Sequence, residues 1–330
     1  MTPSAGALAE ALGALPVQVS GVEVRQTGVA LDDYQGGPRP SSVLRLVGGG
    51  HAGEGENVAF TAEEHARFAA EAEAMLRRPR GAKSGRVDAM IAPAVRGYPR
   101  AALEAALIDL ALRQAGTTLA VLTGVACASL RFVVSFAACA DPAARATRLR
   151  AGDRGPGQEL KIDVDPTWGR DVEVALASLA GIAILDFKGR GDAERAADLS
   201  TLFPGTIFED PPVGTAHPRV ARDGSLSDAR AVAVALARGE AVNIKAPRMG
   251  GPLEALRALD LAARAAGTAY LGGMFEVGVG RRQARQLAAL FCPAAPNDLA
   301  GLVEDGAPSR ASGGAGPSPA LIRLDTPGFG

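Results

Sequence analysis

The sequence predicts an α/β protein in which an N-terminal α+β module precedes a parallel (β/α) barrel. Two observations lead to this prediction. Up to about residue 125, strand-like and helix-like segments follow one another without a repeat, whereas from Leu130 onward short apolar strands alternate with helices rich in Ala, Leu and Arg. Repeated βα units indicate a parallel sheet, and seven or eight of them indicate a barrel. The predicted boundaries are 1–125 for the module, 126–306 for the barrel and 307–330 for a C-terminal segment that returns to the module.

The module begins with two alternating segments, 22–31 and 41–50, that predict strands. The glycines at the end of the second segment predict a turn into a third strand. Thr61 followed by Glu64 fits a capping box, which predicts a helix that extends to about Arg77. Apolar residues at helical spacing predict a second helix over 100–116.

The barrel strands are short apolar runs followed by polar residues. The predicted strands begin at Leu130, Glu159, Ala183, Thr206, Arg219, Ala241 and Thr268. The segment 297–305 is the one candidate for an eighth strand. A linker rich in Gly, Pro and Ser then leads to a short terminal strand that begins at Ala320.

Composition excludes several classes of function. The chain has 35 basic and 36 acidic residues, and this net charge of −1 gives no reason to expect nucleic acid or an acidic membrane as partner. No charge-free apolar run of about 18 residues occurs, and the N-terminus lacks the basic region of a signal peptide. The three cysteines form no Cys-x-x-Cys, which argues against a disulfide framework and a thiolate zinc site. We therefore expect a cytoplasmic protein.

Polar residues at the strand ends point to chemistry, because the active sites of such barrels lie at the carboxyl ends of the strands. The strand ends read LKIDVD, LDFKG, FEDPP, VARDG and NIKAP. Since side chains two residues apart share a face, the pairs to consider are Lys161 with Asp163, Asp186 with Lys188, and Asn243 with Lys245.

If these faces point inward, three carboxylates from successive strands form an oxygen cage suited to Mg²⁺: Asp186, Glu209 and Asp223. A lysine beside such an ion can act as a base near neutral pH, because positive charge and burial lower the pKa of its ammonium group. Each residue taken singly is also explained as a loop cap or a solvated charge. Their recurrence at barrel intervals favours the metal site.

The order of motifs resembles the enolase superfamily, in the branch of muconate-lactonizing enzymes and o-succinylbenzoate synthases. The segments that carry the resemblance are SVLRLVGGGHAGEGE, RAALEAALIDLA, LKIDV, ILDFKG, IFEDPP, VNIKAPRMGG, GGMFEVGVG and the terminal PGFG. The resemblance implies a modified (β/α)8 TIM-type barrel closed by an N-terminal α+β capping domain. It also implies Mg²⁺ bound by Asp186, Glu209 and Asp223, with Lys245 as the lysine of the sixth strand.

The second strand departs from the family pattern. Lys161-Ile162-Asp163 stands where the family usually has Lys-x-Lys, and Lys188 stands where Asn is common. One hypothesis is that Asp163 pairs with Lys188 across neighbouring strands and that Lys188 or Lys161 replaces the missing base. The alternative is that this pair is structural and one acid/base group has been lost.

A second departure is the length of the fourth βα unit. Asp223 follows Glu209 by only 14 positions, which predicts that the fourth helix is absent or reduced to a turn. Asp163, Asn243 and Glu276 are the predicted substrate-binding residues. For Glu276 the alternative is a carboxylate at a helix N-terminus.

The resulting functional prediction is Mg²⁺-dependent removal of a proton α to a carboxylate of a small molecule. A lyase (a dehydratase or a synthase) fits the altered second strand best, because elimination needs a single base. The alternatives are a racemase or cycloisomerase of the same superfamily, or an enolase-like binding protein without turnover. Segment 28–40, with Asp32, Asp33 and Tyr34, is a candidate lid. The resemblance is also compatible with a homo-oligomer.

Overall fold

The computed structural model describes residues 2–29, 38–76, 84–151, 158–299 and 318–330. The candidate lid residues 32–34 and most of the terminal linker lie outside these ranges. The N-terminal elements are α1 (Ala5–Ala14), β1 (Pro16–Gln18), β2 (Gly21–Val29), β3 (Arg39–Gly48), β4 (His51–Asn57), α2 (Ala62–Glu71), β5 (Ser84–Arg86), a 3₁₀ turn (Val87–Ala89), α3 (Gly97–Gln114), α4 (Leu119–Thr123) and β6 (Cys127–Leu130).

The centre of the module is an antiparallel sheet, in the order β2-β3-β4, packed on α3. Gly53 and Gly55 allow this close approach. A Cβ atom on Gly53 would lie 2.2 Å from the backbone nitrogen of Leu110, and one on Gly55 would lie 2.1 Å from the carbonyl oxygen of Ala102. The glycines after β3 form the predicted turn into β4, and Gly49 and Gly50 adopt positive φ.

The remaining elements follow in chain order, and all but the last, β14, belong to the barrel. These are β7 (Val133–Phe136), α5 (Pro142–Ala151), β8 (Glu159–Asp163), α6 (Arg170–Ala177), β9 (Ile182–Asp186), α7 (Ala193–Leu202), β10 (Ile207–Glu209), β11 (Val220–Arg222), α8 (Ala229–Ala237), β12 (Ala241–Ile244), α9 (Ala246–Met249), α10 (Pro252–Arg264), β13 (Ala269–Leu271), α11 (Val279–Phe291) and β14 (Ala320–Arg323). Seven strands, β7 to β13, form one parallel sheet in sequence order. This confirms the predicted fold, an α/β barrel with an N-terminal α+β module.

Among the described residues, the position of the eighth barrel strand is occupied by Asn297 and Asp298, which we call the eighth stave. Asn297 forms a parallel bridge with Phe132, just before β7, and Asp298 forms one with Gly272, just after β13. The Asn297 amide holds this junction, since its Nδ2 donates to the Cys292 carbonyl (2.8 Å) and its Oδ1 accepts from the Leu271 N–H (2.9 Å). The sheet therefore closes where the weak eighth strand was predicted.

The fourth βα unit has no helix, as its length predicts. Residues 210–219 are all described, and they form a loop between β10 and β11. His217 covers the outer side of β10, with its ring stacked on Phe208 at a centroid distance of 3.8 Å. A cavity of about 970 Å³ lies between this loop and α8.

The C-terminal strand joins two parts of the chain. β14 pairs antiparallel with β6, which directly precedes the barrel sheet. The residues that follow contact the module, since the Leu324 carbonyl accepts from the Ala120 N–H (2.8 Å) and the Phe329 N–H donates to Asp109 (2.6 Å). The domain boundaries themselves stay predictions. Among the described helices, none combines the length and the apolar character needed to cross a bilayer.

Candidate active site

The site lies above an apolar layer inside the barrel. Val133, Ile184, Ile207, Ala221 and Tyr270 form a buried cluster of their own, separate from the main core. Because side chains two residues apart share a face of a strand, the residues two positions after Ile184, Ile207 and Ala221 also point inward. These residues are the three predicted metal ligands, and the strand ends place them at one level, with Glu209 registered against Asp186.

The structure brings the three predicted ligands together. One oxygen each of Asp186, Glu209 and Asp223 lies within 4.8 Å of the other two, and all three residues are buried. We call these residues the acidic triad. The donor set fits Mg²⁺, which prefers carboxylate oxygens and completes its coordination with water and substrate oxygens.

Neighbouring groups orient the triad by holding one oxygen of each carboxylate. Asp186 Oδ1 accepts from the Lys188 backbone N–H at 3.0 Å. Glu209 Oε2 accepts from Asn243 Nδ2 at 3.1 Å and from the Tyr270 hydroxyl at 2.5 Å.

Asp223 is held in the same way by a cation, because its Oδ1 accepts from Arg248 Nη1 at 2.5 Å. Its backbone is positioned by Asp210, whose carboxylate accepts from the N–H groups of Asp223 (3.1 Å) and Gly224 (2.7 Å). The predicted turn after Glu209 therefore also places the third ligand, and Asp210 reaches it across the missing helix.

Lys161 lies at the centre of the inward-facing oxygens. Its ammonium Nζ is 2.5 Å from Glu209 Oε1, 3.0 Å from Asp186 Oδ2 and 3.2 Å from Asp298 Oδ2. The Lys161 side chain is only 2% exposed. One ammonium group thus forms ion pairs with two triad carboxylates and with a third carboxylate from the eighth stave.

Lys245 lies on the other side of the triad, with its Nζ 2.8 Å from Asp223 Oδ2. The absence of a side chain at Gly272 makes room for this lysine. A Cβ atom there would lie 2.6 Å from Lys245 Cε and 2.4 Å from Asn243 Oδ1. Asn243 Oδ1 is buried and has no hydrogen-bond partner among the residues that the structure describes.

The pairing of Asp163 with Lys188, predicted between the second and third barrel strands, is present as an ion pair. Lys188 Nζ lies 3.1 Å from Asp163 Oδ1, and it also contacts Asp186 Oδ2. Lys188 adopts a positive φ of 53°, a strained conformation for a residue other than glycine. In this conformation the backbone N–H and the ammonium group of Lys188 both contact the Asp186 carboxylate.

Burial and neighbouring charges together lower the pKa values of two triad carboxyl groups and raise that of the third. Burial alone raises the pKa of Asp186, but the ammonium groups of Lys161 and Lys188 outweigh burial and lower it. Burial likewise opposes the effect of Lys245 on Asp223, whose pKa falls to about 2. For Glu209 burial dominates and raises the pKa, supported by the charges of Asp186 and Asp223.

The lysines respond to the same contacts. Burial lowers the pKa of Lys161, but the surrounding carboxylates, first Asp186 and then Glu209, raise it well above its ordinary value. The pKa of Lys188 is also raised, because Asp186 and Asp163 outweigh burial and the charge of Lys161. Both side chains are therefore ammonium ions at neutral pH.

Glu276 does not occupy the helix N-terminus that was its alternative role. Glu56 of the module accepts from the N–H groups of Val277, Gly278 and Gly280 at the start of α11. Glu276 is buried, and its Oε2 accepts from the Met274 N–H at 2.9 Å. Its role in substrate binding stays a prediction.

Sequence reasoning missed several residues of the site. Asp298, Tyr270 and Arg248 contact Lys161, Glu209 and Asp223 respectively. Asp298 belongs to the same class of strand-end residue as the triad, so its place in the weak eighth strand was a usable signal. Tyr270 and Arg248 had no comparable signal, since hydroxyl and guanidinium groups are common at such positions without a role.

Family models match most of the chain. Residues 126–303 match the model described as the C-terminal domain of the domain of unknown function DUF8230, and residues 10–122 match the corresponding N-terminal domain. No sequence among the curated proteins matches the chain.

Solved structures share the fold at low sequence identity. A mandelate racemase/muconate lactonizing protein from Herpetosiphon aurantiacus has a TM-score of 0.72 and 19% identity, over 96% of this chain and 98% of the other. A dipeptide epimerase from Enterococcus faecalis V583 has a TM-score of 0.71 and 19% identity, over 94% and 98%. The same epimerase in complex with Mg and the dipeptide L-Leu-L-Tyr has a TM-score of 0.70 and 18% identity, over 94% and 98%.

These structural neighbours belong to the enolase superfamily, and at this level of identity the likeness establishes the fold. The C-terminal family model alone matches more than half of the 330 residues. The chain therefore belongs to the DUF8230 family and has the fold of the enolase superfamily.

Proposed function

We propose that the protein is an enzyme that removes a proton α to a carboxylate of a small molecule, with Mg²⁺ as cofactor. The observation that carries this proposal is the convergence of the acidic triad with Lys161 on one side and Lys245 on the other. When bound by the triad, Mg²⁺ supplies positive charge that stabilises an enolate. The muconate-lactonizing and o-succinylbenzoate-synthase-like branch remains part of the proposal.

Lys245 is the proposed base. Each nearby carboxylate stabilises the ammonium form of a lysine, and a base must reach the neutral form. Among the described residues, Lys161 has three carboxylate partners and Lys188 has two, whereas Lys245 has one. Lys161 is then the cation that faces the developing negative charge of the enolate.

A single base favours a lyase as the outcome. In an elimination, one group removes the α-proton and the leaving group departs from the neighbouring carbon, so no second base on the opposite face is needed. Lys188, which is 42% exposed and paired with Asp163, serves in this scheme as a positioning residue for Asp186.

The second candidate is an epimerase or cycloisomerase. The names of the structural neighbours favour it, since they include a dipeptide epimerase and a muconate cycloisomerase variant. In this scheme Lys188 supplies the second acid/base group. The cytoplasmic location and self-association remain predictions from the sequence.

The test is deuterium exchange at the α-carbon in D₂O, followed by NMR over a panel of small carboxylic acids with Mg²⁺ present. We expect Lys245→Met to slow exchange by at least about 100-fold, the lower range for loss of a general base. Lys188→Met is the matched control and is expected to retain exchange.

The other outcomes separate the alternatives. Loss of exchange in Lys188→Met with exchange intact in Lys245→Met would assign the base to Lys188. Loss in both, with inversion of the α-carbon in the wild type, would identify an epimerase. Mg²⁺ binding without exchange on any acid would identify a binding protein.

A further inference from the structure

Lys161 contacts carboxylates of two kinds. Glu209 Oε1 and Asp186 Oδ2, at 2.5 and 3.0 Å from its Nζ, belong to the acidic triad. Asp298 Oδ2, at 3.2 Å, lies on the eighth stave and is not one of the triad oxygens that converge. The ammonium group therefore stands between a candidate metal site and an independent acceptor.

The triad oxygens that Lys161 holds are those that face the centre of the site. The opposite oxygen of Asp186 accepts from the Lys188 N–H, and that of Glu209 accepts from Asn243 and Tyr270. These second contacts leave Asp186 Oδ2 and Glu209 Oε1 as the oxygens that a metal ion would bind. Lys161 contacts both of them, whereas the Lys188 ammonium contacts Asp186 Oδ2 alone. A divalent cation bound to both oxygens would meet the Lys161 ammonium at close range in a buried site, where like charges repel strongly.

Asp298 is well placed to retain the ammonium group. The Ser135 hydroxyl donates to its Oδ1, which leaves Oδ2 directed at Lys161. The backbone of Asp298 is held as well, because its N–H donates to the Leu271 carbonyl at 2.8 Å. Movement of Lys161 away from the triad therefore keeps one ion pair in place of three.

We propose that Lys161 and the divalent cation compete for the same two carboxylate oxygens, and that Asp298 holds the Lys161 ammonium when the cation binds. Lys161 thereby lowers the metal affinity of the triad, and Asp298 restores part of it. The inference rests on the metal site of the proposed function, but it concerns affinity and not turnover. It gives Lys161 and Asp298 opposite effects on the metal affinity of the triad.

Isothermal titration calorimetry of the full chain with Mg²⁺ tests this competition. We expect Lys161→Met to bind Mg²⁺ at least tenfold more tightly than the wild type, because the competing charge is gone. Asp298→Asn, which preserves shape, is expected to bind at least threefold more weakly, because the ammonium then has only the triad as partner.

Matched controls come from an ion pair outside the site. Arg45 and Glu23 are 2.9 Å apart on neighbouring strands of the N-terminal sheet, and both side chains are exposed. Arg45→Met and Glu23→Gln make the same changes of net charge, and we expect both to leave Mg²⁺ affinity within twofold of the wild type.

Two results would overturn the proposal. One is unchanged or weaker binding in Lys161→Met, including no binding in either that variant or the wild type. The other is unchanged or tighter binding in Asp298→Asn, which decides alone if Lys161→Met does not fold. The expected order of affinities without α-proton exchange would reject the proposed function and retain this inference. A flat order with exchange intact would do the reverse.

Discussion

Glu104 illustrates how one buried carboxylate joins the module to the barrel. It lies on α3 and accepts from the Leu253 N–H at the start of α10, at 2.8 Å. Gly251 lies against it, and a Cβ atom there would be 2.2 Å from Glu104 Oε1. Burial raises the pKa of Glu104 from 4.5 to about 7, although this hydrogen bond and Arg100 act in the opposite direction.

The shift predicts a pH dependence of stability. The folded state binds the Glu104 proton more tightly than the unfolded chain, so this residue makes the protein less stable as pH rises from about 4.5 to about 7. Glu104→Gln cannot ionise, and we expect it to gain roughly 3 kcal/mol on the wild type across this range. Urea unfolding at several pH values measures the difference, and a constant difference across this range would contradict the assignment.

At the level of single residues, the sequence predicts a side chain's direction better than its partners. The triad follows from parity along three strands, which is a local property of each strand. The pair of Asp163 and Lys188 follows from parity on neighbouring strands. The contact between Lys161 and Asp298 depends on how the barrel closes, which no local pattern contains.

Among the elements, α2 shows a local signal that is fully realised. Thr61 is its N-cap, and its hydroxyl accepts from the Glu64 N–H while the Glu64 side chain accepts from the Thr61 N–H. This is the capping box that the sequence predicts. The helix ends at Glu71, earlier than the predicted Arg77, which lies outside the described residues.

The cap predicts a measurable effect on stability. Thr61→Ala leaves a first-turn N–H without its side-chain acceptor, and we expect it to lower the free energy of unfolding by about 1 kcal/mol. Thr61→Asp keeps an acceptor and is expected to stay within about 0.5 kcal/mol of the wild type. Equal losses in both variants, measured by urea unfolding, would show that the cap is not the cause.

At the scale of the whole molecule, buried carboxylates of the module accept hydrogen bonds from backbone N–H groups of the rest of the chain. Glu56 holds the start of α11, Glu104 holds the start of α10 and Asp109 holds Phe329 near the C-terminus. Unfolding of either part would break these three sets of hydrogen bonds. Membership of the DUF8230 family could not be predicted from local patterns. The order of the motifs was enough to predict the architecture.

This arrangement predicts a single cooperative unfolding transition. The one tryptophan, Trp168, is buried in the barrel and reports on it, while far-UV circular dichroism reports on all helices. We expect both signals to change at the same urea concentration, and Glu56→Ala to shift both to lower urea together. A tryptophan transition separate from the dichroism transition would mean that the two parts unfold independently.

The missing helix of the fourth unit has a consequence for the chemistry of the barrel. Glu209 ends β10, and Asp223 directly follows β11. A loop with His217 covers the outer side of β10, and a large cavity adjoins Val220 and Arg222 of β11. Two of the three acidic side chains thus lie next to the loop that replaces the fourth helix. Substitutions in that loop are therefore a route by which the geometry of the acidic triad can be altered from outside the barrel.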